Sequence, residues 1–232
     1  MNTTSTKAKG FTLLELLIVI AIIAILATII VIIINPVEIL KRARDVQRLS
    51  DLASTRTAIA LYLTTVTDPS LDGQSAPDTN DRCKDSSGTW TANSRVYYSA
   101  NEDTYTSIDN VFPRNIGDTT DVAVIVSNTP SQVDGEGWIP IDLGSSLSGS
   151  SPLSNFPLDP LNILADQDNI TYADTVYRYA CRQSPLSFEM NARLESIAYT
   201  ETDNKLESDG GDNDKLYEIG TRLDIFGSSE NF

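Results

Sequence analysis

The sequence predicts an α+β fold: one long N-terminal α-helix, kinked near Pro36, packed on a C-terminal antiparallel β-sheet. Three observations predict it. From Leu16 to Ile34 every residue except Thr28 is apolar. Apolar residues then recur at near-helical spacing as far as Val66, with no Gly or Pro after Pro36. Beyond that the chain becomes rich in Ser, Asp, Asn and Gly, with short runs in which apolar and polar residues alternate. The implied organisation is a polar leader 1–10, an apolar helix 11–34, an amphipathic helical half 35–66 and a globular region 67–232.

The apolar run is long enough for about 28 Å of helix, close to the ~30 Å hydrocarbon core of a bilayer, and reads as a membrane span. A secretory signal would have a shorter apolar region closed by a small-residue A-x-A site, which this stretch lacks. Glu15 stands at the start of the run. An ionisable group in a bilayer costs roughly 2.5–3.5 kcal/mol on insertion scales, so Glu15 needs a function and a partner.

The stretch "KGFTLLELLIVIAIIAIL", Lys9 to Leu26, behind the short leader "MNTTSTKAKG", resembles the prepilin signature of type IV pilins and of the pseudopilins of type II secretion. The resemblance implies that a membrane peptidase cuts between Gly10 and Phe11. Phe11 then becomes an N-terminus, usually N-methylated, and Glu15 takes the fifth mature position, where the family places its glutamate. A positive amine at Phe11 of one subunit and Glu15 of its neighbour would attract strongly in a low dielectric, and either alone would be penalised. The implied partner of Glu15 is another copy of the same chain.

"INPVEIL", Ile34 to Leu40, interrupts the helix, because Pro36 lacks an N–H and clashes with the carbonyl four residues back. The same residues read as a helix start: Asn35 as N-cap, Pro36 at the first helical position, Glu38 three after the cap. Leu40, Ala43, Val46, Leu49, Ala53 and Ile59 form the candidate apolar face of the restarted helix. Lys41, Arg42, Arg44, Arg48 and Arg56 form the polar side, read as a solvated face or as contacts to subunits or headgroups. These charges outnumber Lys7 and Lys9, so the positive-inside rule alone places the large domain in the cytoplasm. The prepilin resemblance implies the opposite: a single pass through the cytoplasmic membrane with the head extracytoplasmic.

In the globular region, "SFEMNARLES" alternates Phe188, Met190, Ala192 and Leu194 with polar residues and reads as a half-buried strand. "DTVYRYACR" is its hairpin partner, with Ser184-Pro185 in the turn, and "SRVYYSA" and "DVAVIVS" are further strands. Tyr97, Tyr98, Tyr177 and Tyr179 read as sheet faces rather than a ligand platform. Cys83 and Cys181 are the only cysteines. They read as a disulfide if the domain is outside the cytoplasm, and as two buried thiols if it is not. The phrases "GWIPIDL", "LSNFPLDPLN", "YRYACR" and "FEMNARLES" are similar to the C-terminal part of major-pseudopilin-like and type IV pilin sequences, over about residues 137–220.

The formal net charge is −15 and the chain has no histidine. An acidic surface repels phosphate backbones, so the head as a whole is a poor candidate for holding nucleic acid. His-based triads and zinc sites are excluded. No nucleophile motif or distinct carboxylate pair marks an enzyme. "TDNKLESDGGDNDKLYEIG" concentrates Asp203, Asp209, Asp212 and Asp214 among Asn and Gly. Hard oxygen ligands on a flexible loop suit Ca²⁺, without the register of an EF-hand, and an ordinary solvated acidic turn is the other reading. No cofactor is otherwise required.

The resemblance therefore implies a structural filament subunit serving adhesion, motility or DNA uptake. Its implied partners are its own copies, a prepilin peptidase, an assembly ATPase, a platform protein and the membrane. A pseudopilin of a type II secretion system is the alternative, and a solitary membrane-anchored binding protein is the third possibility.

Overall fold

The computed structural model describes residues 10–73, 80–91, 93–101, 123–144, 150–165 and 170–227. Residues 1–9 of the leader lie outside the described residues. Helix α1 spans Leu13–Ile34 and α2 spans Pro36–Thr65. They are followed by strands β1 (Arg95–Asn101), β2 (Ala123–Ser127), β3 (Arg178–Arg182) and β4 (Ser187–Ala192), a π-helical turn at Ala198–Thr202, the short helix α3 (Lys205–Ser208) and β5 (Tyr217–Gly220). The chain divides into two units, Met1–Lys41 and Arg42–Phe232, and the division falls inside α2.

In the first unit, Asn35 ends α1 with φ 45° and ψ 75°. Pro36 bars the α-conformation from the residue before it, and Asn is among the few non-glycine residues that enter the left-handed region at small cost. The break falls where the Asn35-Pro36 pair predicts it. The Asn35 carbonyl accepts from Glu38 N (3.0 Å) and Ile39 N (3.3 Å), as an N-cap carbonyl does. Its backbone, however, is left-handed rather than extended, so Asn35 terminates one helix while starting the next.

In the second unit, four strands, β1, β3, β4 and β5, form an antiparallel sheet, and β2 adds parallel to β1 at the edge, in the order β2-β1-β3-β4-β5. β3 and β4 pair from Arg178↔Asn191 to Arg182↔Ser187, and the turn between them holds a cis Ser184-Pro185 bond. The sheet is buried on both sides. One core joins Leu52, Ile59 and Tyr62 of α2 to Tyr97, Tyr179, Phe188, Met190, Trp138 and Phe156. The second gathers Val96, Tyr98 and Ala180 with Trp90, Leu164, Leu216, Ile225 and Phe226. Alternate residues of β1 thus feed opposite cores, the period-two signature of a strand. Tyr97, Tyr98, Tyr177 and Tyr179 are all buried in sheet packing.

β4 departs from its sequence pattern. All six of its residues are buried, so it is not half-buried. Glu189 and Asn191, the polar side of the alternation, are both buried, Glu189 beneath the C-terminal segment, where it accepts hydrogen bonds from the backbone amides of Ile225 and Phe226. Cys83 and Cys181 are disulfide-bonded inside the first core, 98 residues apart in sequence.

The face that α2 buries is also not the expected one. It consists of Asp45, Arg48, Leu52, Thr55, Ala58, Ile59 and Tyr62. Of the predicted apolar face only Ile59 is buried, while Val46 is 49% and Leu40 60% exposed. The helical period is right and its phase is shifted, because two charged residues are drawn inward by pairing. Arg48 donates through Nε and Nη2 to Asp159 (2.6 and 3.0 Å) and through Nη1 to Asp45 (2.9 Å) and Glu195 (2.6 Å). Arg44 adds a bidentate pair to Glu195 (2.8 and 3.1 Å). Asp45 in turn accepts from the Ser196 amide and hydroxyl at 2.8 and 2.6 Å. Arg48 is therefore no part of a solvated basic face: Arg48, Asp45 and Asp159 are wholly buried.

Removing one member of such a network leaves buried charge without an answer. Arg48→Ala is expected to destabilise the fold by about 3–5 kcal/mol in urea unfolding. Burial alone would raise the Glu195 carboxyl, but the Arg44 and Arg48 guanidiniums outweigh it and hold it down at about 2. The stabilisation is present above the ordinary glutamate range and lost as pH falls through about 2. Acid unfolding of Glu195→Gln is expected to start from a lower stability plateau and show a shallower fall across that window. Replacing Cys83 and Cys181 by Ser removes a cross-link that closes a loop of 98 residues, an expected loss of about 4–5 kcal/mol in the same unfolding assay.

Candidate functional site

The sequence places the candidate chemistry at the start of α1. Thr12, just before the helix, is extended at φ −81° and ψ 151°. Phe11 is 84% exposed. A Cβ added at Gly10 would meet nothing within 4 Å, and its φ lies outside the left-handed region. Neither packing nor a turn therefore requires glycine at position 10. The Gly10–Phe11 bond lies in exposed, non-helical backbone, the form in which a peptide bond is open to a protease.

Glu15 is held by its own helix end. Thr12 Oγ1 accepts from Glu15 N (3.2 Å), while Glu15 Oε2 accepts from Thr12 N (2.8 Å) and from the Thr12 hydroxyl (2.9 Å). This reciprocal capping box satisfies two amides that the first turn would otherwise leave bare. It also sets the carboxylate at the positive end of the helix macrodipole. The signal was in the sequence, since Thr12-Leu13-Leu14-Glu15 is the T-x-x-E pattern ahead of an apolar run, but the resemblance drew attention to Glu15 alone.

The rest of α1 offers no polar group to its surroundings. Leu13–Val31 has a mean hydropathy of 3.1 and none of it is buried within the protein. Thr28, its one hydroxyl, donates back to the Ile25 carbonyl at 2.7 Å. A helix that pairs its interior backbone groups along its own length and turns its one hydroxyl back onto its own carbonyls is what a bilayer interior requires. Such a helix, with this N-terminal segment, fits a membrane-anchored protein.

The acidic C-terminal loop is arranged differently from a shared ion site. Asp203 is 61% exposed and pairs with Lys205 at 2.9 Å. Asp209 turns inward and accepts from Gly211 N (2.9 Å) and Glu218 N (2.7 Å), fixing the entry to β5. Burial raises its carboxyl. Asp212 and Asp214 are exposed. Among the described residues no group of three or more His, Cys, Asp or Glu side chains is placed to hold a metal ion. The structure does not bring the four aspartates together.

Residues 5–31 match the family model of the prokaryotic N-terminal methylation motif, the prepilin-type motif of type IV pilins and pseudopilins. No curated protein and no solved structure matches the chain. The match is confined to this N-terminal segment, and there it supports a type IV pilin-like or pseudopilin precursor.

The capping box carries a direct test. A lost N-cap costs about 1 kcal/mol. In Thr12→Val the amides of the first helical turn are expected to exchange about five-fold faster than in the parent chain, read by NMR of the full-length protein in detergent micelles.

Proposed function

We propose that this chain is the precursor of a structural subunit of a type IV pilus-like filament. Prepilin peptidase cuts it between Gly10 and Phe11, the new Phe11 amine is methylated, and α1 anchors the subunit in the cytoplasmic membrane until it polymerises. The observation that carries the reading is the exposed Gly10–Phe11 bond placed directly ahead of an apolar helix whose only carboxylate is Glu15.

The capping box supports an assembly role for that carboxylate. In the unassembled chain Glu15 is answered by Thr12 and the helix end. A carboxylate can accept several bonds, so in a stack of subunits the same group receives the Phe11 amine of a neighbour and fixes the axial register. The assembly ATPase and platform protein supply the work and the path of extraction from the membrane. The Cys83–Cys181 bond supports an extracytoplasmic head, because disulfides persist in oxidising compartments. It weighs against the orientation that the basic residues of α2 favour. Adhesion, motility or DNA uptake would be the process served. The pseudopilin reading draws on the "GWIPIDL" to "FEMNARLES" order of phrases and differs in what is lost on deletion: an exoprotein held in the envelope rather than a surface filament.

Mass spectrometry of the protein from native membranes is expected to give a mature chain beginning at methylated Phe11; a chain that keeps Met1 overturns the proposal. Glu15→Gln preserves an acceptor for the Thr12 amide but removes the charge. It is expected to cut sheared filament by at least about ten-fold, the loss of roughly 1.4 kcal/mol per contact or more. Filament yield equal to the parent would rule out the amine–carboxylate register.

A further inference from the structure

Two glutamates lie side by side beneath the C-terminal segment. Glu189 stands opposite Gly220 in the β4–β5 pairing and Glu218 opposite Asn191, which makes the two glutamates diagonal neighbours on one face. Both are buried, at 0% and 1% exposure. Each uses Oε2 to hold backbone: Glu189 accepts from Ile225 N (2.7 Å) and Phe226 N (3.2 Å), and Glu218 accepts from Asn213 N (2.9 Å). Each keeps Oε1 buried with no hydrogen-bond donor among the described residues. The site is shaped for them, since a Cβ on Gly211 would stand 1.8 Å from Glu218 Oε2.

Two ionised carboxylates in one dry site repel each other and lose their hydration, and two lone acceptors cannot bond to one another. A single proton resolves both problems by turning one oxygen into a donor for the other. We propose that Glu189 and Glu218 share one proton, and that this proton is the clasp that keeps residues 213 and 225–226 on the sheet. The charged groups around the pair favour retention. Asp212 of the adjacent loop adds a further negative charge to both. Asp209 bonds the Glu218 amide, and Lys84 acts on Asp212 and Asp224. Burial raises both glutamates, and for Glu218 the hydrogen bond and charge of Glu189 raise it further.

A carboxyl raised in the folded state gives stability that is complete below the ordinary glutamate value and is lost as pH climbs through the folded value. The test uses the full chain in detergent micelles with a chelator, and unfolding is followed through the buried Trp90 and Trp138. Between about pH 5 and about pH 8.5 the parent Tm is expected to fall by about 5–10 °C. In Glu218→Gln the amide donates to Glu189 as the proton does, and the fall is expected to shrink by at least half; Glu189→Gln behaves alike. Hydrogen exchange at Asn213, Ile225 and Phe226 is expected to gain relative to β3 as pH rises in the parent only. Equal pH slopes in parent and variants overturn the proposal. So does a rise in Tm at high pH when calcium replaces the chelator, if both variants lose it, which would assign the oxygens to a cation. Should neither variant fold, unchanged relative protection at 225–226 across the range in the parent overturns it.

Discussion

A guanidinium with no exposed surface must be answered completely, and Arg48 is answered by an acid on its own helix and by two from segments far away in sequence. Asp159 arrives from the loop after Phe156, Glu195 from the chain just beyond β4, and Asp45 from one turn earlier on α2. Each acid is held by more than Arg48. Asp159 also accepts from Leu161 N, Asp45 from Ser196, and Glu195 from Arg44. Breaking the node therefore frees loop backbone as well as charge. Buried ion pairs seldom add much net stability over an apolar packing of equal volume, so this one is better understood as fixing which face of α2 meets the sheet.

The same node explains where sequence reading succeeded and where it did not. Elements defined by local period were legible: the apolar run of α1, the break at Asn35-Pro36, the hairpin of β3 and β4, the strand nature of β1 and β2. The facing of those elements was less so. Counting Val46 as inward and Arg48 as outward follows from transfer free energies of single side chains, and those reverse when partners distant in sequence share the burial. The half-buried reading of β4 turns Glu189 toward water for the same reason, and nothing in its neighbourhood along the chain signals that Ile225 and Phe226 will cover it. At the N-terminus the opposite holds. The capping box of Thr12 and Glu15 is written in four consecutive residues and needs no partner distant in sequence.

The two units solve the burial of polar groups by different routes. In α1 the solution is exclusion, with Thr28 folded back on Ile25 and Glu15 on Thr12. In the Arg42–Phe232 unit it is mutual satisfaction, by cation and anion around Arg48 and by two acids around β5. The first keeps the helix compatible with lipid. The second allows an acidic head to carry charge in its interior.

The bond between Cys83 and Cys181 has a mechanical consequence. Tension applied between α2 and the C-terminus travels along the chain to Cys83, crosses the sulfur bridge to Cys181, and continues into β4. Residues 84–180 hang from that bridge as a closed loop, so β1 and β2 lie off the path of force. Stretching the ends of the chain can peel β4 and β5, but the slack it releases stops at the covalent link.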